Sequence, residues 1–65
     1  METAETVRWL EQLRVEHRDL DSVIDELGDM PRVDSMRIQR LKKRRLKLKD
    51  MITRLESELI PDMDA

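Results

Sequence analysis

The sequence predicts an all-α fold: an antiparallel two-helix hairpin of coiled-coil type, self-associating into a dimer or four-helix assembly. Two apolar stripes carry this prediction. Leu10, Leu13, His17, Leu20, Ile24 and Leu27 recur in alternating steps of three and four, as do Ile38, Leu41, Arg45, Leu48, Ile52, Leu55 and Leu59. That seven-residue rhythm places one stripe along one side of an α-helix. Gly28 and Pro31 stand between the stripes, so the chain divides into two helices that fold against each other. Length supplies the third observation. A chain of 65 residues forms one domain, and below about 70–80 residues a single core seldom supplies more than about 3–5 kcal/mol.

The first helix is expected over residues 4–27. Thr3 is placed to accept an orphan backbone N–H, and Glu5 in the first turn favours the helix dipole. Gly28 then suits the left-handed position just past a helix end, where a side chain would clash. Residues 28–34 form the connection, of a length normal between antiparallel helices. Asp34 or Ser35 caps the second helix, expected over residues 35–60 and stopped by Pro61. Residues 61–65 are expected to be a loose tail. Each helix would be about 35 Å long at about 1.5 Å per residue.

Composition narrows the choice of stabilising device. Tyr and Phe are absent and Trp9 is the sole aromatic, so the core is aliphatic with Met as filler. Cysteine is absent and there is one histidine, which removes disulfides and thiolate sites and makes a metal site improbable. Self-association is the remaining way to strengthen so small a core. No apolar run exceeds two residues, too short to span a bilayer. The N-terminus lacks the basic start and apolar middle of a secretory signal. A soluble cytoplasmic protein is expected.

Charge is unevenly spread. Residues 37–49 hold eight basic side chains and no acid; with a formal total of −2, the rest of the chain carries −10. Antiparallel packing sets Leu27 near Ile38, Ile24 near Leu41, Leu20 near Arg45, Leu13 near Ile52 and Leu10 near Leu55. The acidic stretch 16–26 then lies beside the basic stretch 37–49. Flanking pairs such as Asp21 with Lys42 or Lys49 become possible. Each exposed pair is worth only about 0–1 kcal/mol, but together they disfavour a shifted register.

The second helix carries a recognisable pattern. The run Leu41-Lys42-Lys43-Arg44-Arg45-Leu46-Lys47-Leu48-Lys49-Asp50, followed by Ile52 and Leu55, resembles the YdcH-like family of small bacterial proteins. The segment His17-Arg18-Asp19-Leu20-Asp21, with Ile24 and Leu27, is similar to the first half of the same pattern, and Leu59-Ile60-Pro61-Asp62 to its ending. The resemblance covers nearly the whole chain. It implies a short α-helical hairpin or coiled coil, of a family whose biochemical role is poorly defined.

Candidate functional residues fall into three groups. Trp9, Val23 and Met51 stand on one flank of the seam, with Leu46 and Ile60 stranded on the opposite flank. They either complete the edge of the core or meet another copy or a partner, since Trp and Met are enriched in interface cores. Arg40, Lys43 and Lys47 form an outer basic face for an acidic partner or nucleic acid. A solvated, paired face is the commoner explanation of such a run. The eight charges point all around the helix, and the aromatic residues that grip single strands are missing. His17 and Arg45 form a polar pair inside the seam. Arg45 needs a carboxylate, Asp21 or Glu16, or else a route to solvent for its head group; its simplest role is to set the register. His17 is expected to fill the seam while bonded to a carboxylate, with Asp21 the only nearby residue suited to share a metal.

Nothing points to catalysis. Ser22, Ser35 and Ser57 have no oriented base, and one glycine is too few for a phosphate-cradling loop. No cofactor is expected. The leading functional expectation is a non-enzymatic protein-interaction module, a homo-oligomer with a protein partner. Nucleic-acid binding through the basic face is the alternative. A membrane-surface helix fits poorly, because the seam is needed internally.

Overall fold

The computed structural model describes residues 3–32 and 34–59. It is a helical hairpin of two elements, α1 (Thr3–Gly28) and α2 (Ser35–Leu59), packed along their length. Among the described residues there is no strand and no cis peptide bond.

The seam is the pair of apolar stripes. Leu10, Leu13, Leu48, Ile52 and Leu55 are buried together, with Leu20 and Leu59 packed against them. Ile24 is buried as well, and Leu27, Ile38 and Leu41 are half-buried toward the connection. Thr6 extends the stripe by one step of four before Leu10 and is also buried; a search for apolar residues passes over it. The buried apolar side chains retain 4–6% exposure, and among the described residues no large side chain is fully enclosed. Two helices side by side cover each other along one line only, so both flanks of the seam stay open to solvent.

The ends of the helices show how local chemistry sets their limits. The Asp34 carboxylate Oδ1 accepts the N–H groups of Met36 and Arg37 at 3.0 and 3.2 Å. These are two of the donors that a helix start leaves without partners. The Ile38 N–H bonds the Asp34 carbonyl at 3.1 Å, so Asp34 rather than Ser35 is the cap. At the other helix start, Thr3 is already a helical residue rather than a flanking cap.

Gly28 corrects an expectation. It is the last residue of α1 and does not have a positive φ. The chain leaves the helix through two tight bonds instead: the Asp29 N–H to the Glu26 carbonyl at 3.3 Å and the Met30 N–H to the Leu27 carbonyl at 3.2 Å. Such i to i+3 bonds tighten a last helical turn and satisfy its carbonyls without a left-handed residue. The second helix is described as far as Leu59; Ile60, Pro61 and the expected tail lie outside the described residues.

Candidate interaction surface

Two cross-helix ion pairs bridge the helices at separate heights and share one flank. The Arg45 guanidinium donates to Asp21 Oδ1 at 2.5 Å, and the Arg14 guanidinium donates to Glu56 Oε2 at 2.7 Å. Arg14 also bonds Glu11 within α1 at 3.2 Å. Hydrogen bonding to Glu56 leads the causes that raise the Arg14 guanidinium above its ordinary value, so it stays charged throughout the working range. Arg45 occupies a seam position yet keeps its head group at the edge: its side chain is 31% exposed and that of Asp21 is 51% exposed. The stem lies along the seam and the charge is solvated, as long cationic side chains allow.

This arrangement settles which carboxylate serves Arg45. Asp21 takes it, and Glu16 lies across the seam on the other flank, where it shares a groove with Asp19, Leu20, Val23, Arg44 and Leu48. The proposed pairing of Asp21 with Lys42 or Lys49 is not formed. A seam arginine must find a counter-charge close by, and Asp21 is already engaged in meeting that need. His17 is half-buried and lines a groove with Lys42, Arg45, Leu46 and Lys49. No carboxylate bonds it among the described residues, contrary to expectation. The surroundings of its ring are basic, because the nearby acid, Asp21, is held by Arg45. Among the described residues no group of three His, Cys, Asp or Glu is placed to hold a metal ion.

The grooves separate the two flanks of the hairpin. One flank carries Asp21, Arg45, His17, Leu46, Lys42 and Lys49. The other carries Glu16, Val23 and Arg44, and the seven-residue interval adds Trp9 to Glu16 and Val23, and Met51 and Glu58 to Arg44. On this second flank Trp9 and Val23 are each 40% exposed and Met51 is 37% exposed. Leu46, on the first flank, is 70% exposed among lysines. Ile60, its expected companion, lies outside the described residues. Val7, Val15, Met30 and Met36 are exposed too. None of them belongs to a stripe, though Val7 stands seven residues before Arg14 on the first flank.

The outer basic face is present as three separate solvated cations. Arg40, Lys43 and Lys47 are exposed and form no salt bridge among the described residues. They share the side of α2 that points away from α1, at spacings of three and four.

No described helix is long and apolar enough to cross a membrane. No curated protein and no solved structure matches the chain at a significant level. A family model described as a protein of unknown function, DUF465, matches residues 10–56. That segment holds both stripes from Leu10 to Leu55, the reversal between them and the whole basic run of α2, and on it the chain belongs to DUF465, the YdcH-like family of proteins of unknown function.

Proposed function

We propose that this protein is a small, non-enzymatic interaction module of the cytoplasm that acts by presenting the flanks of a rigid helical hairpin to other proteins. One observation carries the proposal. The seam takes up the apolar residues of the stripes, yet Trp9, Val23, Met51 and Leu46 remain between 37% and 70% exposed on its two sides. Large apolar side chains set beside charged ones are the make-up of interface cores and their rims. The described grooves are open and shallow, with no convergent pair of acid, base or nucleophile, and so favour contact over chemistry.

The test is affinity capture with the hairpin as bait, in parallel with Trp9→Ala and Leu46→Ala. Both residues are exposed enough that the variants keep the helical circular dichroism of the parent. A partner retained by the parent and lost by one variant supports the proposal. Equal capture by all three, or none above background, refutes it.

The exposed, unpaired Arg40, Lys43 and Lys47 favour a second reading, binding of nucleic acid along the outer face of α2. Three phosphate contacts would give a slope of about −3 in log affinity against log salt. Fluorescence anisotropy with a short duplex, and with Lys43→Glu and Lys47→Glu together, decides it. Absence of binding at low salt removes this reading.

A further inference from the structure

The flank that carries Trp9, Val23 and Met51 has an internal order that its exposure alone does not explain. On α1 it reads Trp9, Glu16, Val23; on α2 it reads Arg44, Met51, Glu58. The members of each triplet are seven residues apart, about 10.5 Å along the helix. The two triplets run in opposite directions, and their centres stand at nearly the same height. Three contacts place them so: Asp21 meets Arg45, Arg14 meets Glu56, and Glu16 and Val23 share a groove with Arg44 and Leu48. At the three heights, therefore, Trp9 stands beside Glu58, Glu16 beside Met51, and Val23 beside Arg44. Each height offers one apolar and one charged group, and the apolar one alternates between helices.

We propose that the occupant of this flank is a second copy of the chain, related by a two-fold axis that runs across the helices at the height of Glu16 and Met51. Rotation about that axis lays α1 antiparallel on the partner's α1 and α2 on the partner's α2. Trp9 then falls on the partner's Val23 and Val23 on the partner's Trp9. Met51 meets itself, Arg44 meets the partner's Glu58, and Glu58 meets the partner's Arg44. Among these six residues the one unfavourable contact is Glu16 facing the partner's Glu16. The other two-fold arrangement, with the axis parallel to the helices, sets α1 on the partner's α2 at equal heights. It puts Trp9 on Glu58, Met51 on Glu16 and Val23 on Arg44, so every apolar group would bury a charge without a counter-charge. The pattern is thus self-complementary about one axis and mismatched about the other, as an isologous interface requires.

Area is consistent with a stable pair. A strip about 35 Å long and two helix diameters wide covers about 700 Å², close to the ~800 Å² per partner of a standard interface. The seam gains as well, since the partner covers one of its two open flanks.

This inference rests on the interaction-module proposal and names its partner, and the chain's lack of cysteine makes it directly testable. Under mild oxidation, Met51→Cys is expected to form a disulfide-linked dimer, while Leu46→Cys on the opposite flank does not. Trp9→Cys mixed with Val23→Cys is expected to give the mixed dimer in preference to either homodimer. In sedimentation equilibrium, Arg44→Glu weakens association about tenfold or more, the Arg44→Glu, Glu58→Arg double variant restores it, and Glu16→Gln strengthens it severalfold. All these positions are exposed, so circular dichroism of the variants stays at the parent's level. A parent that is monomeric at about 200 μM, or a double variant no tighter than Arg44→Glu alone, overturns the inference. So does equal cross-linking of Met51→Cys and Leu46→Cys. A monomer that still captures a protein through Trp9 or Leu46 overturns the dimer and leaves the interaction module standing; a monomer that captures nothing overturns both.

Discussion

At the scale of single residues, Gly28 separates what its type suggests from what its position requires. Glycine after an apolar run suggests a left-handed stop, yet here it closes α1 in ordinary helical conformation. A Cβ at this position would meet nothing within 4 Å. Gly28→Ala should therefore stabilise the protein by about 0.4–1 kcal/mol, because alanine restricts the unfolded chain without straining the folded one. Urea denaturation checks this: a lower midpoint would mean that the glycine is needed in a left-handed conformation after all. Asp34 is the opposite case. Its type announced a cap, and its carboxylate takes the two backbone donors that a cap serves.

At the scale of the element, each helix is specified by its stripe and modified by one polar interruption. The stripes were fully legible, since every position named in them is buried or half-buried. Their polar members behaved differently. Arg45 takes Asp21, one of the two carboxylates expected for it, whereas His17 lacks the carboxylate bond expected of it. The spacing of side chains along a helix can be read from sequence, but which of two nearby acids meets a cation depends on the flank each occupies. The Arg45–Asp21 pair lies at the solvent edge, so its worth is that of a surface pair, about 0–1 kcal/mol. Asp21→Asn should cost no more than that. Arg45→Leu should leave stability unchanged or raise it, because the seam gains an apolar side chain while Asp21, half exposed, returns to water. Thermal unfolding of the two variants distinguishes this from a register-setting role, in which Arg45→Leu would broaden the transition or change the association state.

At the scale of the whole molecule, thinness is the governing fact. A hairpin has one seam and two wet flanks, and the described core reduces to a single line of aliphatic contacts. Truncating one of them removes a large share of the total. Leu13→Ala should cost about 2–5 kcal/mol, comparable with the about 3–5 kcal/mol that a core of this size supplies. Val15→Ala, exposed on the outer side of the same helix, should stay within about 0.5 kcal/mol of the parent. Helical circular dichroism at 25 °C reads the contrast directly: loss for Leu13→Ala, retention for Val15→Ala. Equal behaviour of the two would show that the seam is not where stability resides. The same thinness explains why the exposed flanks matter, since covering one of them adds to the core what the chain cannot supply alone.

The amino-acid sequence by itself determined the fold class, the two stripes, the reversal between them and the polarity of charge, because all of these are periodic or local and need no knowledge of neighbours. Which residues flank the seam was also readable from the seven-residue interval. Only the tertiary structure decided that Arg45 takes Asp21, that Arg14 bridges to Glu56 and that Gly28 stays inside its helix. Those outcomes depend on the relative height and rotation of two helices, and these follow from packing the whole seam at once rather than from any segment of it.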